Sequence, residues 1–186
     1  MKVKLQNVRL SFPDLFEAKQ FEGTGPFNYR ASFLFAPDSQ AKRDVDAAIR
    51  AVATEKWGKK ADAILTTILP NPQKCCLIDG NTKEYDGYED MFALSSSRNM
   101  EKGRPLIIDR DKTPLGQADG KPYAGCYVNA TVEIWAQDNN YGKGIRANLL
   151  AVQFARDGDA FAGGSVGTEE DFDDLSADAD SADSLV

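Results

Sequence analysis

Apolar and polar residues alternate with a period of two over two stretches of the chain. From 126 to 137, one face carries Cys126, Val128, Ala130, Val132, Ile134 and Ala136, and the other carries Tyr127, Asn129, Thr131, Glu133, Trp135 and Gln137. This pattern predicts a strand with one buried face. An Asn/Gly-rich loop at 138–144 then leads into a second β-like stretch through about Phe154. The two stretches predict a long β-hairpin near the end of the domain.

Residues 27–35 show the same alternation. Phe27, Tyr29, Ala31, Phe33 and Phe35 share one face, and Asn28, Arg30, Ser32 and Leu34 share the other. A half-buried strand is therefore predicted here, with shorter strand candidates at 2–10, 75–79, 91–98 and 105–109.

Helical spacing replaces the alternation after Pro37-Asp38-Ser39, which offers an N-cap. Apolar residues recur at helical intervals as far as Trp57, and Gly58 is a plausible end. A second short helix is predicted over 61–69, and loops over 80–90 and 110–125. The fold class is therefore mainly β with one or two helices (α+β), as a Greek-key barrel or sandwich with a long terminal hairpin. A doubly wound parallel fold does not fit, because helices and strands fail to alternate.

Charge is distributed unevenly along the chain. The 186 residues carry 22 basic and 29 acidic side chains, but ten of the acidic ones follow Arg156, after which no Lys or Arg occurs. Residues 1–156 therefore have a small positive net charge. The last 24 residues are mostly Gly, Ser, Ala and Asp, with little apolar surface to offset the entropy of ordering. We predict one domain over 1–162 and a disordered acidic tail over 163–186.

The composition argues against several classes of protein. Histidine is absent, which removes Ser-His-Asp and Cys-His nucleophiles and every histidine-ligated metal site. Cys75, Cys76 and Cys126 suit neither a four-cysteine zinc site nor a disulfide framework, which favours a reducing compartment. No apolar run approaches the roughly 18 residues of a membrane span, and the N-terminus lacks the apolar stretch of a signal peptide. We expect no metal, no cofactor, no membrane contact and a cytoplasmic location.

One motif points to an enzyme. An apolar stretch ending at Ile108 is followed by Asp109 and Asp111, which resembles the first motif of haloacid-dehalogenase-type phosphatases, where the first Asp is the nucleophile and the second the general acid/base. The remaining chain supplies a hairpin and a tail instead of the parallel α/β fold of that family, so a solvated turn is the alternative. The carboxylates between 79 and 90 have two similar interpretations, as a Mg²⁺ site or as a charged loop. They are Asp79, Glu84, Asp86, Glu89 and Asp90.

Aromatic and basic side chains on polar strand faces suggest another chemistry. By parity, Trp135 and Tyr127 point away from the core, where flat rings can stack on nucleic-acid bases. Further tyrosines and cations could add stacking or neutralise phosphates. The candidate nucleic-acid-binding residues on this basis are Arg30, Arg98, Lys102, Arg104, Tyr127, Trp135, Tyr141, Lys143 and Arg146.

Several segments resemble a family of tailed-phage single-stranded-DNA-binding proteins. They are Lys4–Phe12 with Phe16, Phe92–Arg98 and Tyr123–Asn129, followed by the acidic end. The resemblance covers about residues 1–155. It implies an OB-fold barrel, sequence-independent binding of single strands, and a role in phage DNA replication, recombination or repair in the host bacterial cytoplasm. Arg98, Tyr123 and Tyr127 lie in the shared segments, so the resemblance adds Tyr123 to the candidate nucleic-acid-binding residues.

The sequence thus predicts a non-enzymatic protein that coats and protects single-stranded DNA by stacking and phosphate neutralisation, with RNA as the other candidate ligand. The tail is expected to compete for the binding groove and to recruit replication or recombination proteins through Phe172, Asp173, Asp174, Leu185 and Val186. A homodimer is left open. The alternatives are a Mg²⁺-dependent phosphatase or nuclease using Asp109 and Asp111, and a phage structural or adaptor protein that binds no nucleic acid.

Overall fold

A computed structural model describes residues 1–161. The strands are β1 (Lys2–Phe21), β2 (Thr24–Phe35), β3 (Leu77–Asp79), β4 (Phe92–Asn99), β5 (Leu106–Ile108), β6 (Tyr127–Asn139) and β7 (Gly142–Arg156); the helices are α1 (Gln40–Trp57) and α2 (Ala61–Ile68). The predicted acidic tail, 163–186, lies outside the described residues. Within residues 1–161, neither helix combines the length and the apolar character needed to cross a membrane.

The strands form one sheet that closes on itself. Their order is β3-β4-β2-β1-β6-β7-β5, and a parallel bridge between Ser97 and Asn148 also joins β4 to β7. The circuit β1-β2-β4-β7-β6 therefore returns to β1 as a five-stranded barrel, which is the Greek-key architecture of the OB fold. The prediction of a mainly β, OB-type fold is confirmed.

The terminal hairpin forms one wall of the barrel. Val128, Ala130, Val132 and Ile134 of β6 point into the core at the predicted parity. Pairing with β7 continues out to Asn139 and Gly142, so the turn contains only residues 140–141. The predicted loop at 138–144 was therefore too long, because polar residues at a hairpin end still complete the backbone ladder.

Helix α1 begins and ends where the sequence indicates. The Ser39 hydroxyl accepts a hydrogen bond from the Lys42 amide at 3.2 Å, and Gly58 ends the helix at a φ of +55°. The apolar face of α1 packs against β1, β6 and α2, and a 3₁₀ turn at 58–60 links the two helices.

One residue of β2 departs from the predicted alternation. Leu34 lies on the outer, nominally polar face but is only 1% exposed, because Tyr88 and Ala93 cover it in a small second apolar cluster. The segment that follows β3 therefore folds back over the outside of the barrel. It brings the side chains of residues 83–88 to this face.

Strand β1 extends well beyond the predicted 2–10 and is irregular. Its register with β2 shifts between Ser11 and Asp14, and Phe12 adopts a φ of +47° within that shift. Bulges of this kind re-aim side chains. Phe12 is accordingly 55% exposed on the outer face.

Candidate nucleic-acid interface

A groove of about 630 Å³ crosses the outer face of the barrel, where β1, β2, β4 and β7 lie in succession. Small polar side chains form its middle: Ser32 of β2 faces Ser95 of β4, with 3.4 Å between the hydroxyl oxygens. Aromatic and cationic side chains surround them. A shallow polar floor with larger rings and charges at its margins can admit a flat ligand without base-specific contacts.

Backbone pairing aligns the groove across the strands. Arg30 of β2 is the register partner of Asp14 on β1 and of Ser97 on β4. Ser97 in turn pairs with Asn148 of β7, which pairs with Glu133 of β6. Register partners present their side chains side by side on one face. The outer face therefore carries a continuous polar row over five strands.

Three aromatic rings stand together at the β1 side of the groove. Phe12 and Tyr85 meet edge to face at 4.8 Å between ring centroids, and Tyr88 lies 5.2 Å from Tyr85. Tyr88 is buried and donates its hydroxyl to the Ser11 hydroxyl at 3.2 Å, and burial raises the pKa of its phenol. Tyr88 therefore supports the cluster, whereas Phe12 and Tyr85, each about half exposed, present ring surface to a ligand.

Three cations accompany these rings. The Arg30 guanidinium lies 5.4 Å from the ring centroid of Phe21, which is 59% exposed at the β1–β2 turn. Arg146 donates through Nε to the Gln137 side chain at 2.8 Å, and Lys83 lines the groove beside the aromatic cluster. In the described part of the chain, no carboxylate forms an ion pair with Arg30, Lys83 or Arg146. Their charge is thus available to an anionic ligand.

Two neighbouring cysteines lie at the end of the groove nearest Arg146. Cys75 and Cys76 are both buried and are not in a disulfide. The hydrogen bond between them lowers the pKa of the Cys75 thiol and raises that of Cys76. They form part of the wall at this end.

The predicted residues of the terminal hairpin lie at or beyond this same end. Trp135 is the register partner of Arg146, is 37% exposed, and donates its indole N–H to Asn148 at 3.2 Å. Tyr141 occupies the hairpin turn with its side chain 93% exposed. Lys143 lies 3.8 Å from Asp138, on the far side of the wall from the groove. The structure therefore brings Arg30, Arg146 and Trp135 onto one connected surface.

A second predicted group does not line the groove. Arg98 donates to the backbone carbonyls of Gly103 and Lys102, both at 2.8 Å, and so holds the turn after β4. Arg104 lies 5.6 Å from the ring centroid of Phe16. Lys102 is exposed on the turn itself.

Tyr123 and Tyr127 secure the segment at 157–161. The Tyr123 hydroxyl donates to the Asp157 carboxylate at 2.7 Å, which raises the pKa of the phenol. Arg156 covers the Tyr127 ring at 3.7 Å from its centroid, and Arg9 lies 5.7 Å from it. Both rings are occupied by contacts within the chain. Alternation along β6 places Tyr127 on the outward face, but it does not reveal that Arg9 and Arg156 cover the ring.

The two aspartates of the phosphatase-like motif form a turn after β5. Lys121 pairs with Asp109 at 2.9 Å and holds the pKa of that carboxyl below its usual range, and Asp111 accepts from the Thr113 hydroxyl and amide. These contacts match the solvated-turn interpretation. No set of three or more Cys, Asp or Glu side chains within residues 1–161 is grouped to hold a metal ion, and this includes the 79–90 carboxylates.

Sequence reasoning missed four residues that line the groove: Phe12, Phe21, Lys83 and Tyr85. Phe12 sits in a bulge that no alternation pattern reveals. Lys83 and Tyr85 fall in a stretch whose composition is typical of a charged loop, although two tyrosines in such a loop were a usable signal.

The chain is similar to known proteins over nearly its whole length. Residues 1–185 match the family described as Enterobacter phage Enc34, ssDNA-binding protein. Protein p50 of Acyrthosiphon pisum secondary endosymbiont phage 1 is 54% identical over 179 residues, or 95% of either chain.

Solved structures resemble the fold as well. The single-stranded DNA-binding protein from bacteriophage Enc34 in complex with ssDNA matches with a TM-score of 0.72 at 25% identity, over 87% of this chain and 89% of that one. The single-stranded DNA-binding protein gp2.5 of bacteriophage T7 matches with a TM-score of 0.54 at 13% identity, over 92% of both chains, which shows the fold alone. The chain belongs to the family of phage single-stranded-DNA-binding proteins represented by that of Enterobacter phage Enc34.

Proposed function

We propose that this protein binds single-stranded DNA along the groove, without reading its sequence. The observation that carries the proposal is that exposed rings and cations lie together on one continuous face. The rings are Phe12, Phe21 and Tyr85, and the cations are Arg30 and Arg146. No carboxylate within residues 1–161 forms an ion pair with either arginine. Stacking contributes about 1–3 kcal/mol per base and tolerates every base. Arginine and lysine neutralise phosphates whatever the sequence.

The position of the groove within the barrel supports the same function. In OB folds, oligonucleotides bind on the face of the second and third barrel strands and at the turns that flank it. Those strands are β2 and β4 here, and the turns are β1–β2, with Phe21, and β6–β7, with Tyr141. The polar row and the exposed rings coincide with this face.

The cellular role that follows is the coating and protection of transiently exposed DNA during phage replication, recombination or repair in the host cytoplasm. The acidic residues within 163–186 would compete with DNA for the groove cations, because a tethered polyanion reaches a high effective concentration. Once displaced, this tail would be free to bind replication or recombination proteins. Residues 1–162 would be the binding domain and 163–186 the tail.

A fluorescence-anisotropy titration tests the function. Labelled oligo(dT) and a duplex of equal length are titrated with the full chain at two salt concentrations. We expect tight binding of the single strand alone, weakening steeply as salt rises. Equal affinity for the duplex, or no binding at low salt even after removal of the tail, would refute the proposal and favour the adaptor alternative.

The enzymatic alternative needs its own assay. Native protein and the Asp109→Asn variant are incubated with Mg²⁺ and either a phosphomonoester or labelled DNA. We expect no phosphate release or cleavage from either protein, and equal oligo(dT) affinities. Turnover that disappears in the variant would establish a phosphatase or nuclease.

A further inference from the structure

A second cationic cavity lies outside the groove, between α1, α2 and the end of the β6–β7 hairpin. This lysine pocket has a volume of about 970 Å³. Its rim carries Lys56, Lys59, Lys60, Lys74 and Lys143, and among residues 1–161 the one acidic side chain that lines it is Asp138. Trp57, Ile64 and Ile68 supply apolar surface inside it. The pocket therefore combines strong positive charge with a large aromatic ring, the same two elements found in the groove.

The charge balance of the lysine pocket favours an anion. Asp138 accepts the Trp57 indole N–H at 2.9 Å and lies 3.8 Å from the Lys143 ammonium. Its carboxylate is thus engaged and offsets at most one of the five lysines. The bond to Asp138 also fixes the orientation of the half-buried Trp57 ring.

The lysine pocket and the groove share a wall. Lys74 lines the pocket, whereas Cys75 and Cys76 line the groove. This short segment is bonded to β7, since Ile145 donates to the Lys74 carbonyl at 2.8 Å and Cys76 donates to the Ile145 carbonyl at 3.0 Å. In β7, Lys143 lines the pocket and Arg146 the groove. Only a narrow band of backbone separates the two cavities.

We propose that a single strand longer than the groove continues past Arg146, over this wall, and into the lysine pocket. There its phosphates meet the lysines and one base contacts Trp57. This inference rests on the proposed function, because it extends the same ligand. An acidic peptide would satisfy the lysines, but the shared wall and the repeated pairing of ring with cations favour the nucleic acid.

Trp57 provides a local reporter for the test. The chain has two tryptophans, Trp57 and Trp135, so the Trp135→Phe variant reports from the lysine pocket alone. It is titrated with oligo(dT) of about 6 and about 16 nucleotides, lengths within the site-size range of OB folds. We expect the longer strand to change Trp57 fluorescence and the shorter strand to bind without doing so.

Charge removal gives a second, independent readout. In Lys59→Ala/Lys60→Ala, we expect the slope of log affinity against log salt for the longer strand to fall by about 0.7 for each phosphate that is no longer neutralised. The shorter strand should bind as it does to the native chain. Arg110→Ala/Lys112→Ala, which removes two exposed cations from the turn after β5, is the matched control and should alter neither slope.

These measurements distinguish failure of binding in the lysine pocket from failure of single-strand binding altogether. Unchanged Trp57 fluorescence with both strands, together with an unchanged slope in Lys59→Ala/Lys60→Ala, overturns the inference while leaving groove binding intact. A response of Trp57 to a peptide of residues 168–176, but to neither strand, also overturns it and assigns the pocket to the chain's own acidic segment. Failure of the native chain to bind either strand at low salt refutes the proposed function as well.

Discussion

The exposed rings of the groove differ in what holds them. Phe12 depends on a bulge in β1 with a positive φ, and Tyr85 rests edge to face on Phe12 and the buried Tyr88. A ring that is already oriented loses little conformational entropy when a base stacks on it. We therefore expect Phe12 and Tyr85 to contribute more to binding than a more isolated exposed ring.

Phe12→Ala should weaken oligo(dT) binding by about 1–3 kcal/mol, the usual contribution of one stacked base. Phe27→Ala is a matched control, because Phe27 is 45% exposed but does not line the groove. Anisotropy titrations of both variants, with circular dichroism to verify folding, provide the measurement. Equal affinities for the two variants would remove Phe12 from the stacking surface.

Arg146→Ala should lower the slope of log affinity against log salt by about 0.7, the change expected when the protein neutralises one phosphate fewer on a single strand. Arg110→Ala, an exposed arginine in the turn after β5, should leave the slope unchanged. Titrations at four or more salt concentrations give the slopes. An unaltered slope in Arg146→Ala would place the phosphate track elsewhere on the barrel.

At the scale of elements, the sequence predicted well wherever one periodicity extends over many residues. β6 and α1 are such cases, because each buries a single face and the burial dictates the spacing. It failed where a distant element changes the surroundings of a residue. Alternation places Leu34 on the polar face of β2, but the segment carrying Tyr88 buries it. Alternation also places Tyr127 on the outward face of β6, but Arg9 and Arg156 cover its ring. The rings of the groove were missed for related reasons, since Phe12 comes from a bulge in β1 and Tyr85 from the loop between β3 and β4.

The segment at 157–161 is held to the barrel by close backbone contacts, and Gly125 makes them possible. A Cβ at Gly125 would lie 2.2 Å from the Asp159 carbonyl oxygen, and its φ is +102°. Gly125→Ala should therefore destabilise the protein by about 1–3 kcal/mol, through strain and disruption of these contacts.

Thermal unfolding compares this variant with Gly116→Ala, where an added Cβ would come no closer than 3.7 Å to a described neighbour and φ is negative. We expect a lower Tm for Gly125→Ala than for Gly116→Ala. Equal Tm values would mean that the 157–161 segment adds little to the stability of the barrel.

At the scale of the whole molecule, the opposite charges of the two parts of the chain predict self-competition. Truncation after Gly164 removes eight acidic side chains and should tighten oligo(dT) binding, most at low salt, where screening is weakest. A full-length variant with those eight residues changed to Asn or Gln separates charge from length. If both variants bind like the native chain at every salt concentration, the tail does not compete.

The way in which the barrel closes predicts where its backbone hydrogen bonds open most easily. β4 and β7 meet through the Ser97–Asn148 bridge and the few bonds of the 74–76 segment, whereas the other barrel neighbours share longer ladders. This seam should therefore open at the lowest free energy, and its amides at Cys76 and Ile145 should exchange with deuterium faster than those of β6. A DNA strand that contacts both Arg30 and Arg146 would cross this seam. DNA binding should then slow amide exchange most at the β4–β7 seam, because the bound strand stabilises the least stable strand pairing of the barrel.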